Sequence, residues 1–219
     1  MIPEQIQLSI DGLEYNVTPK KVTPKDCWQT PEHILDLVRE VLGGRIFTDP
    51  CTVESNPTSA VKFYTPQQNG LLHKWEENAF VNPPYSDPSV WLEKISKEIN
   101  EGSIKEAIAL VPTGCLGTER SGPHAETANA LCLWRNRIHF IDPATGKPAS
   151  QTSFTSAFLY WGDRVDAFAQ TFELHGMVSF MRMAYAQKLL RCILRQKTEG
   201  TAETLREEII DFLDKFNLI

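Results

Sequence analysis

The feature that most constrains the fold of this chain is a pair of prolines, Pro83-Pro84, placed soon after the apolar run Ala79-Phe80-Val81. Each proline fixes its own backbone angle φ and disfavours helical geometry in the residue before it. We therefore expect Asn82 and Pro83 to be extended, so that a strand ends there at a stiff corner. Asp87-Pro88 then has the residue types of a helix start, which predicts a strand–corner–helix unit.

The corner Asn82-Pro83-Pro84-Tyr85 carries groups suited to a planar amine. The side-chain oxygen of Asn82 and the carbonyl of Pro83 can accept both protons of one NH2 group. This keeps the nitrogen lone pair out of ring conjugation and free to meet an electrophilic methyl, while Tyr85 offers a face for stacking. The plainer interpretation is a Pro-Pro turn, but a strand before it and a helix after it favour the functional one.

Composition narrows the class of protein. With 219 residues, 42% of them hydrophobic, the chain can bury one sizeable core. Its apolar runs are too short to span a bilayer, and Met1–Gln5 lacks the pattern of a secretory signal. The five cysteines are scattered without metal-ligand spacing. We therefore expect reduced thiols in a cytoplasmic protein with no bound metal and no membrane segment.

Alternating patterns predict an α/β fold. A helix with Thr30 as N-cap and Pro31 at its first position ends at Gly43-Gly44. The strands and the helix expected to follow are Arg45–Thr48, Val61–Tyr64, Ala79–Val81, Asp87–Ile99 (the helix) and Ala107–Val111. Such alternation is typical of parallel βαβ units, in which ligands bind beyond the carboxyl ends of the strands. Asp49-Pro50 and the proline corner would then share one rim, although Asp-Pro is also common in ordinary turns.

The rest of the chain predicts a hairpin, one more strand and three helices. These are the hairpin Leu131–Trp134 and Ile138–Ile141, the strand Ser156–Trp161, and the helices Asp166–Phe172, Leu189–Leu194 and Leu205–Phe216. We divide the chain into an N-terminal extension at 1–25, with a small strand near Gln7–Ile10, a catalytic domain at 26–176, and a C-terminal helical segment at 177–219.

Several segments, in order over residues 26–176, resemble the phage-type DNA N6-adenine methyltransferases related to Dam. They are Asp26–Pro31, Thr48–Cys51, Phe63–Thr65, Asn69–Leu71, Trp75, Phe80–Ser86, Ala107–Pro112, Arg137–Pro143 and Phe154–Ala157. The resemblance implies a Rossmann-like, S-adenosylmethionine-dependent methyltransferase fold with a mostly parallel central sheet. It also implies transfer of the methyl group to the N6 amine of adenine in DNA.

By that similarity, two groups of residues have assigned roles. The cofactor-binding residues would be Trp28, Thr30, Pro31, Asp49, Pro50 and Asn69, and the catalytic ones Asn82, Pro83, Pro84 and Tyr85. Three departures from the wider class are visible. No Gly-x-Gly follows Asp49, where Cys51-Thr52-Val53 stands instead, and Asn69 occupies a position where an acid is expected. The third is Asn82, which replaces the commoner aspartate, although asparagine is also well represented among adenine enzymes.

The corner alone leaves other functions open. Cytosine N4, an RNA base or a protein glutamine presents a similar planar nitrogen, and the missing glycine loop would suit a catalytically weak binding or regulatory module. The net charge of −6 gives DNA binding no overall support.

Three local features could serve DNA binding, and each has a plainer interpretation. Arg135 and Arg137 could contact phosphate or close the hairpin. The segment Thr113–Thr127 could be a mobile loop over DNA or an ordinary surface loop. The third feature is a basic helical segment in which positions 188, 191 and 195 share a face, and a solvated face is the favoured interpretation. Its basic residues are Arg182, Lys188, Arg191, Arg195 and Lys197.

Overall fold

The structure is a computed structural model that describes residues 6–10, 13–17, 26, 28–149 and 154–181. Its strands are β1 (Ile6–Ile10), β2 (Leu13–Val17), β3 (Thr48–Asp49), β4 (Lys62–Phe63), β5 (Glu77–Val81), β6 (Ile104–Pro112), β7 (Ala130–Trp134), β8 (Ser156–Trp161) and β9 (Gly176–Phe180). Its helices are α1 (Glu32–Val41), α2 (Ser89–Asn100), α3 (Gly122–Ala125) and α4 (Val165–Phe172). The predicted helices at 189–194 and 205–216, and the basic helix face, lie outside the described residues.

A seven-stranded sheet forms the centre of the molecule, with strand order β4-β3-β5-β6-β8-β7-β9. The pairings β3–β4, β3–β5 and β5–β6 are parallel, as the βαβ pattern predicts. The pairings β6–β8, β7–β8 and β7–β9 are antiparallel. The prediction of a mostly parallel sheet therefore holds only for the first half of the sheet. β1 and β2 form a separate antiparallel hairpin.

Helices cover both faces of this sheet. α1 and α4 pack on one face through residues such as Val38 and Phe168, and α2 and α3 pack on the other through Ile95 and Ala125. Consecutive residues of the central strands enter opposite layers, because side chains alternate along a strand. The pairs Phe80 and Val81, Ile108 and Ala109, and Phe158 and Leu159 each divide in this way. The result is a three-layer α/β/α arrangement.

The two helices nearest the proline corner start later than predicted. Pro31, not Thr30, occupies the N-cap position of α1, and no side chain caps the helix. Likewise α2 begins at Ser89 after Pro88, and Asp87 accepts a hydrogen bond from the Ser89 hydroxyl at 2.6 Å. Thr30 and Asp87 are correct as boundary residues, but neither side chain caps its helix. Thr30 is instead turned toward Asn82, as described below.

The predicted hairpin over 131–141 is wrong in its second half. β7 pairs with β8 and β9 on its two sides, which leaves no edge for residues 138–141. These residues are anchored instead by buried Ile138 and Phe140. Ile141 makes isolated bridges to Gln29 and Pro148. Local alternation predicted an extended segment correctly but assigned it the wrong partner.

Two of the predicted strands are shorter than expected, and two strands, β2 and β9, were missed. Arg45–Thr48 and Val61–Tyr64 are reduced to the two-residue strands β3 and β4. β9 crosses the predicted domain boundary, so residues 177–180 belong to the central sheet and not to a helical segment. Over the described residues, no helix is both long enough and apolar enough to cross a membrane.

Candidate active site

The site lies at the carboxyl ends of β3 and β5. These strands are parallel neighbours, with Thr48 beside Ala79, so Asp49-Pro50 and the proline corner share one rim as predicted. A pocket of about 190 Å³ opens there. Of the residues assigned to the cofactor or to catalysis, those that line it are Trp28, Thr30, Asp49, Pro50, Asn69, Asn82 and Pro84.

The other three assigned residues are placed differently. Pro31 is buried, and its carbonyl accepts hydrogen bonds from the backbone of Ile34 and Leu35 at the start of α1. Pro83 and Tyr85 line a second, narrow pocket next to the first. The residues of this narrow pocket are Asp26, Trp28, Asn82, Pro83, Tyr85 and Phe140. Asn82 and Trp28 therefore border both pockets.

The amide of Asn82 is held in one orientation. Its Nδ2 atom donates to the Trp28 carbonyl at 3.4 Å and to the Thr30 hydroxyl at 3.2 Å. A carbonyl can only accept, so the nitrogen must face Trp28 and the oxygen must point the other way. That oxygen, Oδ1, is buried and has no hydrogen-bond partner among the described residues. A buried unpaired acceptor is costly, and a ligand amine that paired with Oδ1 would relieve this cost.

Asp49 is a buried carboxylate held by its own loop. Its Oδ1 accepts from the backbone of Cys51 at 3.2 Å, and its Oδ2 accepts from the Thr58 hydroxyl at 2.7 Å. Burial raises the pKa of Asp49 to about 6, against the lowering effect of these hydrogen bonds. Each carboxylate oxygen can accept a second hydrogen bond, so capacity for a ligand remains.

Cys51 takes part of the space that a glycine loop would fill. It lies at the larger pocket. Burial, and secondarily the charge of Asp49, raise the pKa of its thiol, while a backbone hydrogen bond from Asn82 opposes this. The thiol therefore stays protonated and is not a nucleophile.

Gly70 makes a close backbone contact with the end of β3. A Cβ atom at this position would overlap the backbone of Pro50, so no other residue fits without a shift. Asn69 supports the turn with a left-handed backbone, and its side chain accepts from the backbone of Leu71. The Trp75 indole donates to the Gly70 carbonyl at 2.9 Å. The 69–75 segment is thus fixed against the end of β3.

Aromatic rings surround Tyr85. Its ring meets Phe154 edge-on at 5.0 Å and Phe140 edge-on at 5.9 Å, and Phe140 stacks on Trp28 at 6.2 Å. Burial raises the pKa of Tyr85, which keeps the phenol neutral. Sequence reasoning did not select Phe140, Phe154 or Asp26 as site residues. Their presence in the ordered similar segments is the one signal that pointed to them.

The segment after β6 is more ordered than a mobile loop. Residues 122–125 form α3, and Ser121, Ala125 and Ala128 are buried. Thr127 accepts a hydrogen bond from the Trp161 indole at 2.8 Å. Residues 117–120 are all exposed, and Arg120 pairs there with Asp87 at 3.4 Å. The second half of the predicted loop is thus part of the folded core.

Fold and site together define an α/β enzyme that presents an unpaired amide acceptor beside a ligand pocket, an arrangement suited to a planar amine. The chain belongs to the Dam family, DNA N-6-adenine-methyltransferase, which it matches over residues 17–177. It is therefore an enzyme that methylates the N6 amine of adenine in DNA. No curated protein matches the chain. Nothing found favours cytosine, RNA, protein glutamine or a binding module as the alternative.

Proposed function

We propose that the larger pocket binds S-adenosylmethionine and the narrow pocket receives the target adenine, with Asn82 at their junction. The observation that carries this proposal is the buried, unpaired Oδ1 of Asn82, a residue that lines both pockets. A three-layer arrangement, with ligand-facing loops at the ends of parallel strands, supports the finer assignment to a Rossmann-like methyltransferase fold. The catalytic domain would span 26–176 together with the rest of β9.

The residues of the larger pocket suit S-adenosylmethionine. Trp28 and Pro50 provide apolar walls for a flat purine, and Asp49 and Asn69 provide polar groups for hydroxyl or ammonium groups. The close contact of Gly70 with Pro50 gives this pocket a rigid wall. When bound, the cofactor supplies an electrophilic methyl group on a sulfonium.

The residues of the corner would then orient the amine. Asn82 Oδ1 and the Pro83 carbonyl accept the two amine protons, which keeps the lone pair available and stabilises the positive charge that grows on nitrogen. Thr30 and the Trp28 carbonyl hold the Asn82 amide in the productive orientation. Tyr85, fixed by Phe140 and Phe154, stacks on the base after it has left the DNA duplex. Alignment of nitrogen, methyl and sulfur is the main contribution to rate.

The experiment compares wild type with Asn82→Ala and uses Asn100→Ala, an exposed asparagine at the end of α2, as the matched control. Unmethylated DNA is incubated with S-adenosylmethionine, digested to nucleosides and analysed by mass spectrometry, while calorimetry measures cofactor affinity. We expect N6-methyladenine from wild type and Asn100→Ala. Asn82→Ala should lose about 100-fold in kcat or more, as for loss of one preorganised polar group. Its cofactor affinity should be nearly unchanged.

Two results would contradict the proposal. Activity of Asn82→Ala within a few-fold of wild type would remove Asn82 from the chemistry. If the wild-type protein methylates adenine but binds no S-adenosylmethionine, the assignment of the larger pocket to this cofactor is wrong.

A further inference from the structure

An open basin of polar and basic side chains lies on the surface near the site. Its lining residues are Arg135, Asn136, Arg137, His139 and Thr155, and all of them are exposed. Two guanidinium groups in one basin stand out in a chain with a net charge of −6. Since residues 138–141 do not pair with β7, the alternative that these arginines merely close a hairpin no longer applies.

The backbone that carries the basin is fixed. The Arg135 backbone donates to the His175 carbonyl at 3.0 Å, and its Nη1 donates to the Leu174 carbonyl at 3.4 Å. At the other side, the Thr155 hydroxyl shares a 2.6 Å hydrogen bond with that of Thr113. No carboxylate in the described part of the chain forms an ion pair with Arg135 or Arg137. The Arg135 guanidinium is therefore positioned by the Leu174 carbonyl, and neither arginine is ion-paired within the described residues.

The basin adjoins the narrow pocket through two chain segments. His139 is followed by Phe140, which lines the narrow pocket, and Thr155 follows Phe154, whose ring contacts Tyr85. His139 is exposed while Phe140 is buried. Consecutive Cα atoms lie only about 3.8 Å apart. Each of the two segments therefore places an aromatic ring beside Tyr85 and, at the adjacent residue, a polar side chain in the basin.

We propose that this basin binds a backbone phosphate of DNA beside the flipped adenine. The proposal rests on the proposed function, since it requires the adenine to enter the narrow pocket. An extruded base leaves its own sugar–phosphate linkages just outside the pocket, where the basin lies. Guanidinium groups bind phosphate oxygens through paired, charge-assisted hydrogen bonds. Such contacts position the strand without reading its sequence.

The test uses Arg137→Gln and the double variant Arg135→Gln/Arg137→Gln, which remove charge and keep polarity. Lys105→Gln is the matched control because Lys105 is exposed at the start of β6, at the opposite end of the strand from the site. Fluorescence anisotropy of a labelled duplex measures the affinity at several salt concentrations. We expect Arg137→Gln to weaken binding several-fold. The slope of log K against log salt should become shallower by about 0.9 for each phosphate that the variant no longer neutralises. Lys105→Gln should change neither quantity.

The readouts separate this proposal from the proposed function. An unchanged slope overturns the phosphate assignment, even if affinity falls. Arg137→Gln should keep the wild-type cofactor affinity, measured by calorimetry, and the wild-type melting temperature. Its methylation defect should appear as a higher KM for DNA with an unchanged kcat. A defect confined to kcat would also overturn the assignment. Failure of the proposed function would appear in the wild type itself, as absent cofactor binding, and leaves the anisotropy result interpretable.

Discussion

At the scale of single residues, the site depends on how one amide is turned. Asn82 borders both pockets, and its orientation is set by Trp28 and Thr30, which lie on the segment that leads into α1. Thr30 contacts Asn82 directly as well as lining the larger pocket. Its contribution can therefore be separated into orientation of Asn82 and contact with the cofactor.

Replacing Thr30 by valine removes the hydroxyl that accepts from Asn82 and preserves the shape of the side chain. We expect kcat to fall roughly tenfold because the amine acceptor loses its fixed orientation. Thr30→Ser, which keeps the hydroxyl, should restore most of the rate. Steady-state kinetics and cofactor calorimetry check this. A Thr30→Val variant with weakened cofactor affinity and normal kcat would assign Thr30 to cofactor contact alone.

The raised pKa of Asp49 predicts that the stability of the protein depends on pH. Burial raises its pKa from 3.8 to about 6, so the folded protein takes up this proton more readily than the unfolded chain. The free energy of unfolding should therefore fall as pH rises from about 4 to about 6 and level off above that range. The loss is on the order of 3 kcal/mol. Denaturant unfolding at pH 4.5 and pH 7 should show this component in wild type and not in Asp49→Asn. An exposed-carboxyl variant, Glu119→Gln, should retain it.

At the scale of elements, the larger pocket depends on two short segments, the strand β3 and the turn at Asn69-Gly70. β3 has only two residues, yet its end is supported by the turn at Asn69-Gly70, which packs against Pro50. The wall of the larger pocket is therefore built from two segments that are distant in sequence, and its integrity depends on their contact.

Gly70→Ala tests that contact. The added methyl group would overlap the Pro50 carbonyl, so the turn must move away from β3. We expect a loss of about 1–3 kcal/mol in unfolding free energy and weaker cofactor binding. Gly117→Ala is the control, because a Cβ atom there meets no neighbour. Thermal unfolding and calorimetry provide the measurements. Equal stability and affinity in the two variants would show that the contact at Pro50 relaxes freely.

At the scale of the whole molecule, the local chemistry of the corner could be predicted from sequence but its surroundings could not. Proline restricts the backbone through its immediate neighbours, so the strand end at Asn82 was predictable. The partner of Asn82, the Trp28 carbonyl, lies 54 positions away. The burial of Phe140 beside Tyr85 likewise depends on tertiary packing. β9 was missed because only its pairing with β7 makes it a strand.

That pairing predicts that β9 contributes to the stability of the central sheet. A chain ending at 175 lacks β9 and exposes the edge of β7, whereas a chain ending at 181 keeps all of β9 and the hydrogen bond from Met181 to Asn129. We expect the melting temperature of the shorter chain to be about 5 °C lower. A loss of about 1–2 kcal/mol in unfolding free energy lowers the melting temperature of a domain of this size by several degrees. Scanning calorimetry of both chains decides this. Equal melting temperatures would place β9 outside the cooperative unit.

The unpaired oxygen of Asn82 also bears on what happens after the reaction. In the proposed site, adenine would bring two N–H groups to the corner, one for Asn82 Oδ1 and one for the Pro83 carbonyl. The methylated base retains a single N–H, so one acceptor would again be left unsatisfied, at a cost of about 1–3 kcal/mol where that acceptor is buried. The proposed corner would then discriminate against its own product, which would favour release and stop the reaction at one methyl per adenine.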